Sequence, residues 1–247
     1  MTPKVNDRSV PARHIGSTTC SVNWSSIERE LNSRGCMVVE RLLTSAQCAA
    51  ISAFYDHDHH FRKTVVMARH NFGRGEYRYF DYPLPQIVQD LREDFYHRLA
   101  PIANRWNEAL GIEHVYPGQL SAYLASCADF GQCLATPLLL RYSAGDYNCL
   151  HQDIYGDQSF PLQLAIQLND PSTDFSGGEF VLTEQRPRMQ SRVEVVQLRQ
   201  GDAVIFPVQV RPVKGSRGYY RVNMRHGVSL IRSGNRDTLG IIFHDAK

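Results

Sequence analysis

The sequence predicts a mainly β protein whose core is an antiparallel double-sheet barrel of the jelly-roll type, carried on a helical N-terminal support. Three observations predict this fold. After Pro137, eight short runs with alternating or β-branched residues follow one another, separated by turn residues. These runs lie too close together for crossover helices, which indicates antiparallel pairing. Helical periodicity, in contrast, is confined to the residues before Pro137.

The eight predicted strands are assigned to one barrel because no repeat, low-complexity tract or obvious linker divides them. Most are bounded by Gly, Pro, Asn, Asp or Ser, the residues that most often form turns. They lie at 138–142, 150–155, 162–168, 179–182, 193–198, 203–206, 221–230 and 238–243.

The first half of the chain is expected to be mainly helical. Residues 1–20 have no apolar periodicity and are rich in turn residues, which predicts a flexible tail. Helical spacing begins at Trp24, with Ser25 or Ser26 as its cap, and returns at 44–55, capped at Thr44 or Ser45, and at 85–110. A short strand is predicted at 36–40. We expect 21–136 to be a helical support within the same domain as a catalytic core at 137–247.

Composition excludes several classes of protein. With 43% apolar and 21% charged residues the chain is not intrinsically disordered. No apolar run approaches the roughly 18 residues of a membrane helix, and the N-terminus lacks a charged-then-apolar leader. The six cysteines have no C-x-x-C spacing, which predicts neither a zinc site nor a disulfide framework. We therefore expect a cytoplasmic protein with no membrane partner.

A candidate metal site begins at His151-Gln152-Asp153. On a strand, residues i and i+2 project from the same face, roughly 6 to 7 Å apart. His-x-acid tripeptides are common by chance, so the context must decide. His226 heads the seventh predicted strand, and two histidines with one carboxylate form the facial set that leaves open positions on Fe(II). His151, Asp153 and His226 are therefore candidate metal ligands and catalytic residues.

A candidate anion site follows in the last predicted strand. Arg236 and Thr238 lie on one face of that strand, ten and twelve residues after His226. An arginine can bind both oxygens of a carboxylate and a threonine can donate a further hydrogen bond, so the pair suits a buried carboxylate. Tyr142, on the strand before His151, is a candidate for an additional contact.

These motifs, in this order, resemble the 2-oxoglutarate- and Fe(II)-dependent dioxygenases, and most closely their prolyl-hydroxylase-like branch. The resemblance covers about 105 residues. It rests on Arg141-Tyr142-x-x-Gly145, His151-x-Asp153, Gly177-Gly178-Glu179, Gly201-Asp202-x-x-x-Phe206 and His226-Gly-Val-x-x-x-x-x-Gly234-x-Arg236-x-Thr238-Leu239.

The resemblance implies a double-stranded β-helix, which agrees with the barrel predicted from strand spacing. It implies that His151, Asp153 and His226 hold Fe(II), and that Arg236 and Thr238, helped by Tyr142, bind the distal carboxylate of 2-oxoglutarate. The implied reaction uses O2 to hydroxylate a substrate C–H bond and releases succinate and CO2. The alternative is a non-catalytic, cupin-like module that only binds metal.

The substrate is less well determined. Residues 186–236 hold eleven basic and two acidic residues, and 69–80 combine arginines, aromatic residues and two glycines. We interpret 69–80 as a flexible, base-stacking loop, with Arg74, Tyr77, Arg78 and Tyr79 as candidate substrate contacts. Basic strands and an aromatic lid favour a nucleic-acid partner, DNA or RNA, and oxidative dealkylation in DNA repair. Alternatives are a protein substrate hydroxylated on a residue, as by prolyl hydroxylases, and small metabolites.

Overall fold

The computed structural model describes residues 22–247, so the tail expected at 1–20 lies outside the described residues. Within this range the strands form two antiparallel sheets. Their bounds are β1 Met37–Val39, β2 Phe61–Val66, β3 Gly73–Arg74, β4 Glu76–Phe80, β5 Leu138–Ser143, β6 Tyr147–His151, β7 Leu162–Gln167, β8 Phe175–Gly177, β9 Phe180–Gln185, β10 Arg192–Val196, β11 Ala203–Pro207, β12 Val210–Gly215, β13 Gly218–Val228 and β14 Ile231–Ile241.

The larger sheet has the order β1-β11-β7-β14-β5-β4-β2, with β8 also paired to β14. The smaller sheet has the order β10-β9-β13-β6-β3, with β12 also paired to β13. This architecture confirms the predicted mainly β, double-sheet fold, and each of the eight predicted runs overlaps a strand. Strands β8 and β12 were not predicted. Strand β8 has only three residues, and β12 contains Pro212, which a strand tolerates where its free side has no partner.

Within residues 22–247 there are four α-helices: α1 Trp24–Ser33, α2 Ser45–Ala53, α3 Gln86–Ala109 and α4 Leu120–Asp129. The cap of α1 is Asn23 rather than a serine, because the Asn23 carboxamide accepts from the Ser26 backbone N–H. Helix α2 is capped by Thr44 as predicted, in a reciprocal capping box with Gln47. Helix α4 was not predicted, although Leu120, Tyr123, Leu124 and Cys127 have helical spacing.

Residues 69–80 are not the flexible loop that we predicted. They form a short 3-10 turn followed by β3, in the smaller sheet, and β4, in the larger sheet. Gly75, with φ of +118°, lies between the two strands, and a Cβ there would come within 2.7 Å of the Tyr142 ring. The glycine therefore permits the chain to cross from one sheet to the other, and does not mark a loop.

The residues before 137 contribute more than a helical layer. Strands β1 to β4 come from this part of the chain and lie within the two barrel sheets. A boundary between support and core at 136 and 137 stays a prediction from the sequence. None of the helices within 22–247 is both long and apolar enough to span a bilayer.

The helical layer is tied to the barrel by a buried arginine. Arg92, on α3, is fully buried and donates hydrogen bonds to the backbone carbonyls of Ile242 and Phe243, at 2.9 and 3.0 Å. It also forms an ion pair with Asp245 at 2.7 Å, so its charge is compensated inside the protein. Since Ile242 lines the barrel cavity, α3 helps to set the shape of that cavity.

Candidate active site

Strand pairing brings the three predicted metal ligands together. His226 on β13 is the direct cross-strand partner of His151 on β6, and Asp153 follows two residues after the end of β6. One ligand atom from each residue lies within 4.8 Å of the others. His226 Nε2 lies 3.2 Å and His151 Nε2 3.4 Å from the Asp153 carboxylate. Two imidazole nitrogens and one carboxylate oxygen converging in this way fit a divalent iron.

The electrostatics of Asp153 and His226 favour the protonation states that a metal requires. His151 differs, because burial opposes its charge but hydrogen bonding and the charge of Asp153 outweigh burial and raise its pKa. Burial opposes the charge of Asp153, but the two neighbouring imidazoles outweigh it and hold the carboxyl pKa well below its usual value. Burial, together with the charge of His151, lowers the pKa of His226. An ionised carboxylate and a neutral imidazole are the forms that coordinate metals.

The surrounding residues orient the three side chains. His151 Nδ1 lies 2.8 Å from the Cys149 carbonyl oxygen, which leaves Nε2 directed at the site. Tyr155 donates a hydrogen bond of 2.7 Å to Asp153 Oδ1. The His226 ring packs against Phe180 and Phe206, with centroid distances of 5.9 and 4.8 Å. The sequence analysis assigned none of these supporting roles.

Arg236 is the predicted anion-binding residue, and it is 1% exposed. Its Nη1 donates to Thr238 Oγ1 at 2.6 Å, while its Nε has no hydrogen-bond partner. Among residues 22–247 no carboxylate lies within ion-pair distance of it. Burial lowers the pKa of the guanidinium to about 10. A buried cation without a counterion destabilises the protein because its charge has lost its hydration. The site is therefore suited to a carboxylate from a bound molecule.

Tyr142 completes this arrangement. It is fully buried and is the cross-strand partner of Arg236. The Arg236 guanidinium carbon lies 5.9 Å from the Tyr142 ring centroid, and Asn148 donates to the Tyr142 hydroxyl at 3.3 Å. The three predicted co-substrate residues therefore lie together, at one end of the cavity that also holds the metal-ligand group.

That cavity has a volume of about 180 Å³ and lies between the two sheets. Apart from the three candidate metal ligands and Arg236, its lining carries no charged side chain. Five aromatic side chains besides Tyr142 contribute to it, namely Phe72, Tyr77, Tyr155, Phe180 and Phe206. Apart from the metal-ligand group and Arg236, the cavity is therefore lined mainly by apolar and aromatic side chains.

The four predicted substrate contacts occupy different positions. Tyr77 lines the cavity, and Tyr79 lies behind it, in edge contact with Tyr77 and Tyr155. Arg74 is exposed on β3, paired to β6. Arg78 is not brought to the cavity, because it projects from the other face of β4 and pairs with Asp58 at 2.7 Å. Its neighbour Tyr77 takes the inward position, since side chains alternate along a strand.

Comparisons with known proteins identify the family of this chain. Residues 75–246 match the model of the Oxygenase-NA family, described as an oxygenase catalysing oxidative methylation of damaged DNA. Proteins of two Mycobacterium tuberculosis strains, both uncharacterized, are 49% identical over 167 residues, covering 68% of this chain and 72% of theirs.

Solved structures with the same fold share little sequence with the chain. A prolyl-4-hydroxylase of Pseudomonas putida has a TM-score of 0.53 at 14% identity, covering 91% of this chain and 100% of its own. A 2OG-Fe(II) oxygenase family oxidoreductase of Burkholderia pseudomallei has a TM-score of 0.52 at 14% identity, covering 92% and 93%. A prolyl hydroxylase of Trichoplax adhaerens, in complex with a hypoxia inducible factor peptide, has a TM-score of 0.54 at 14% identity, covering 96% of both chains.

The family match covers most of the chain and includes every candidate ligand, and the structural neighbours share its double-sheet barrel. These findings confirm the resemblance inferred from the ordered motifs, and with it the use of Fe(II), 2-oxoglutarate and O2. The chain belongs to the Oxygenase-NA family and is a 2-oxoglutarate- and Fe(II)-dependent oxygenase, an oxidoreductase with a prolyl-hydroxylase-like fold.

Proposed function

We propose that this oxygenase removes alkyl groups oxidatively from damaged bases in DNA. The observation that carries the proposal is the uncharged, aromatic cavity beside the candidate metal ligands, which suits a flat base extracted from the stack. The description of the family whose model matches residues 75–246 supports the same substrate class.

In this proposal His151, Asp153 and His226 hold Fe(II), and Arg236, Thr238 and Tyr142 bind the distal carboxylate of 2-oxoglutarate. If bound there, iron and 2-oxoglutarate would supply the oxidising chemistry, in which one oxygen atom of O2 ends in succinate, the other is inserted into a substrate C–H bond, and CO2 is lost. If the oxidised carbon is a methyl group on a base nitrogen, the resulting hydroxymethyl group leaves as formaldehyde.

The chain's own residues position the reactants and exclude water. Arg236 and Thr238 fix one end of the co-substrate, and the hydrogen bond from Tyr155 holds the Asp153 carboxylate in one orientation. Phe180 and Phe206 shield the His226 side of the site from solvent. Tyr77 offers a ring face on which an extracted base can stack.

The outer face of β13 supports binding of a polyanion. Arg221, Asn223 and Arg225 alternate with buried residues along this strand, so that all three project to solvent. Among residues 22–247, neither arginine has a carboxylate within ion-pair distance. Arg225 precedes His226 in the chain, and because side chains alternate along a strand it projects from the opposite face of β13 to His226. We propose that this row and Arg74 contact the phosphate backbone.

The test combines an activity with a binding measurement. Formaldehyde and succinate are measured with oligonucleotides that carry one methylated base, and affinity is measured at two salt concentrations. Replacement of both Arg221 and Arg225 by Gln should weaken binding and flatten its salt dependence, while succinate formation without oligonucleotide is unchanged. Arg98→Gln, an exposed arginine on α3, is the matched control.

The aromatic contact is tested separately. Tyr77→Ala should lower turnover on a single strand more than it lowers binding, because stacking matters once the base is in the cavity. Arg78→Gln should leave both unchanged, since Arg78 faces away from the cavity.

A protein residue is the second candidate substrate, favoured by the fold shared with prolyl hydroxylases, one of which is bound to a peptide. Absence of salt-dependent oligonucleotide binding, combined with oxidation of a peptide substrate, would replace the DNA proposal by this one.

A further inference from the structure

Gln163 is a buried amide in the cavity whose donor group has no partner. It is the second residue of β7, 2% exposed, and it lines the cavity. Its Nε2 has no hydrogen-bond partner. The other two carboxamides of the cavity lining differ in this respect. Asn148 donates to Tyr142, and Gln152 donates to the Met224 and Gln209 carbonyl oxygens.

The strand register places Gln163 away from the anion site of Arg236 and Thr238. Gln167, at the other end of β7, pairs with Thr238. Gln163 is four residues away along the same strand, a backbone separation of about 13 Å. Gln163 therefore does not belong to the group of residues around Arg236 and Thr238.

Gln163 is nevertheless close to the metal-ligand group. Its cross-strand partner on β11 is Phe206, and the Phe206 ring lies 4.8 Å from the His226 ring, centroid to centroid. The unpaired amide therefore lines the cavity on the side of the metal-ligand group, where a substrate would have to approach the metal. An unpaired buried donor is costly, and a substrate acceptor that enters the cavity would remove that cost.

The charges of the cavity restrict which substrate can supply this acceptor. Asp153 is committed to the metal and Arg236 to the co-substrate, and no other acidic or basic side chain lines the cavity beyond the two histidines. A cationic alkylated base would be buried there without a counterion, at a large desolvation cost. A neutral base with a carbonyl or ring-nitrogen acceptor would not incur this desolvation cost.

We propose that Gln163 is a specificity-determining residue that donates a hydrogen bond to an acceptor on a neutral alkylated base. This proposal rests on the proposed function and deepens it, because it selects the class of damaged base. 3-Methylthymine is a neutral base of this kind, whereas 1-methyladenine and 3-methylcytosine carry a positive charge when protonated.

Gln163→Leu removes the amide and keeps a side chain of similar size. It should lower kcat/KM for an oligonucleotide with 3-methylthymine about five- to tenfold, the loss expected for one hydrogen bond. Succinate formation from 2-oxoglutarate without oligonucleotide is measured in parallel, so that a loss of base recognition is distinguished from a general loss of 2-oxoglutarate turnover. Gln86→Leu, exposed at the start of α3, is the matched control.

Gln163→Glu distinguishes substrate recognition from a purely structural role, because a structural role predicts no change in substrate preference. A carboxylate at this position supplies the counterion that the cavity lacks, so the ratio of kcat/KM for 1-methyladenine to that for 3-methylthymine should rise. If both variants keep the wild-type efficiency and the wild-type order of substrates, the role of Gln163 is wrong while the proposed function stands.

Two results with the wild-type protein separate the remaining possibilities. A preference for the cationic bases would overturn the neutral substrate class. If no modified oligonucleotide is oxidised although 2-oxoglutarate is converted to succinate, the proposed function itself is wrong, and the role of Gln163 as a base-recognising residue is wrong with it.

Discussion

Replacing Arg236 by Met should weaken 2-oxoglutarate binding and at the same time stabilise the protein in the absence of 2-oxoglutarate. The guanidinium is 1% exposed and has no carboxylate partner among the described residues, and burial lowers its pKa from 12.5 to about 10. Because the folded-state pKa of this base is depressed, its charge costs stability at every pH below about 10, including neutral pH. A shift of this size corresponds to a cost on the order of 3 kcal/mol.

The magnitudes follow from the contacts that the substitution removes. Loss of the Arg236 hydrogen bond leaves the Thr238 hydroxyl without its donor, which offsets about 1 kcal/mol of the gain. The net effect of about 2 kcal/mol corresponds to a rise in Tm of about 5 °C for a chain of this length. The lost charge-assisted contact to 2-oxoglutarate should raise its KM about 10- to 100-fold.

Thermal unfolding with and without 2-oxoglutarate, together with succinate formation across 2-oxoglutarate concentrations, measures both effects. Arg232→Met is the control, since Arg232 is an exposed arginine on the same strand. A variant with a lower Tm and an unchanged KM would refute the reasoning, because it would mean that Arg236 already has a partner and that another residue holds the co-substrate.

Four further outcomes are expected. His226→Ala should abolish iron binding and turnover, as measured by metal analysis and succinate formation, because two remaining ligands hold the ion poorly. Tyr155→Phe should lower kcat and iron affinity while the KM for 2-oxoglutarate changes little, since its hydroxyl contacts Asp153 and not the anion site. In gel shifts, the Arg221→Gln and Arg225→Gln single variants should each reduce the salt slope of DNA binding by about one. Gly75→Ala should lower Tm, since the added Cβ meets the Tyr142 ring at a positive φ.

The candidate metal ligands could be predicted because two of them, His151 and Asp153, are close together in the sequence. His151 and Asp153 are separated by the period of a strand, and His226 was placed by the order and spacing of the other motifs. Arg236 and Thr238 could be predicted for the same reason. What the sequence could not supply is the register that makes His226 the direct partner of His151.

The unpaired state of Gln163 and the orientation of Arg78 could not be predicted from the sequence. An amide within an apolar strand is noticeable, but its lack of a partner follows only from which strands flank β7. Arg78 was grouped with Tyr77 and Tyr79 because the two glycines nearby indicated a loop. Once the segment is known to be a strand, alternation alone separates the arginine from the tyrosines.

The anchoring of the barrel by Arg92 affects how inactive variants should be interpreted. Arg92 lies on a helix outside the barrel, yet it donates a hydrogen bond to the backbone of Ile242, which lines the cavity. A substitution in α3 found in a loss-of-function screen can therefore impair catalysis without marking a second binding surface. Natural variants in this helix are expected to change substrate preference as well as abundance, so enzyme concentration should be measured alongside turnover in any such screen.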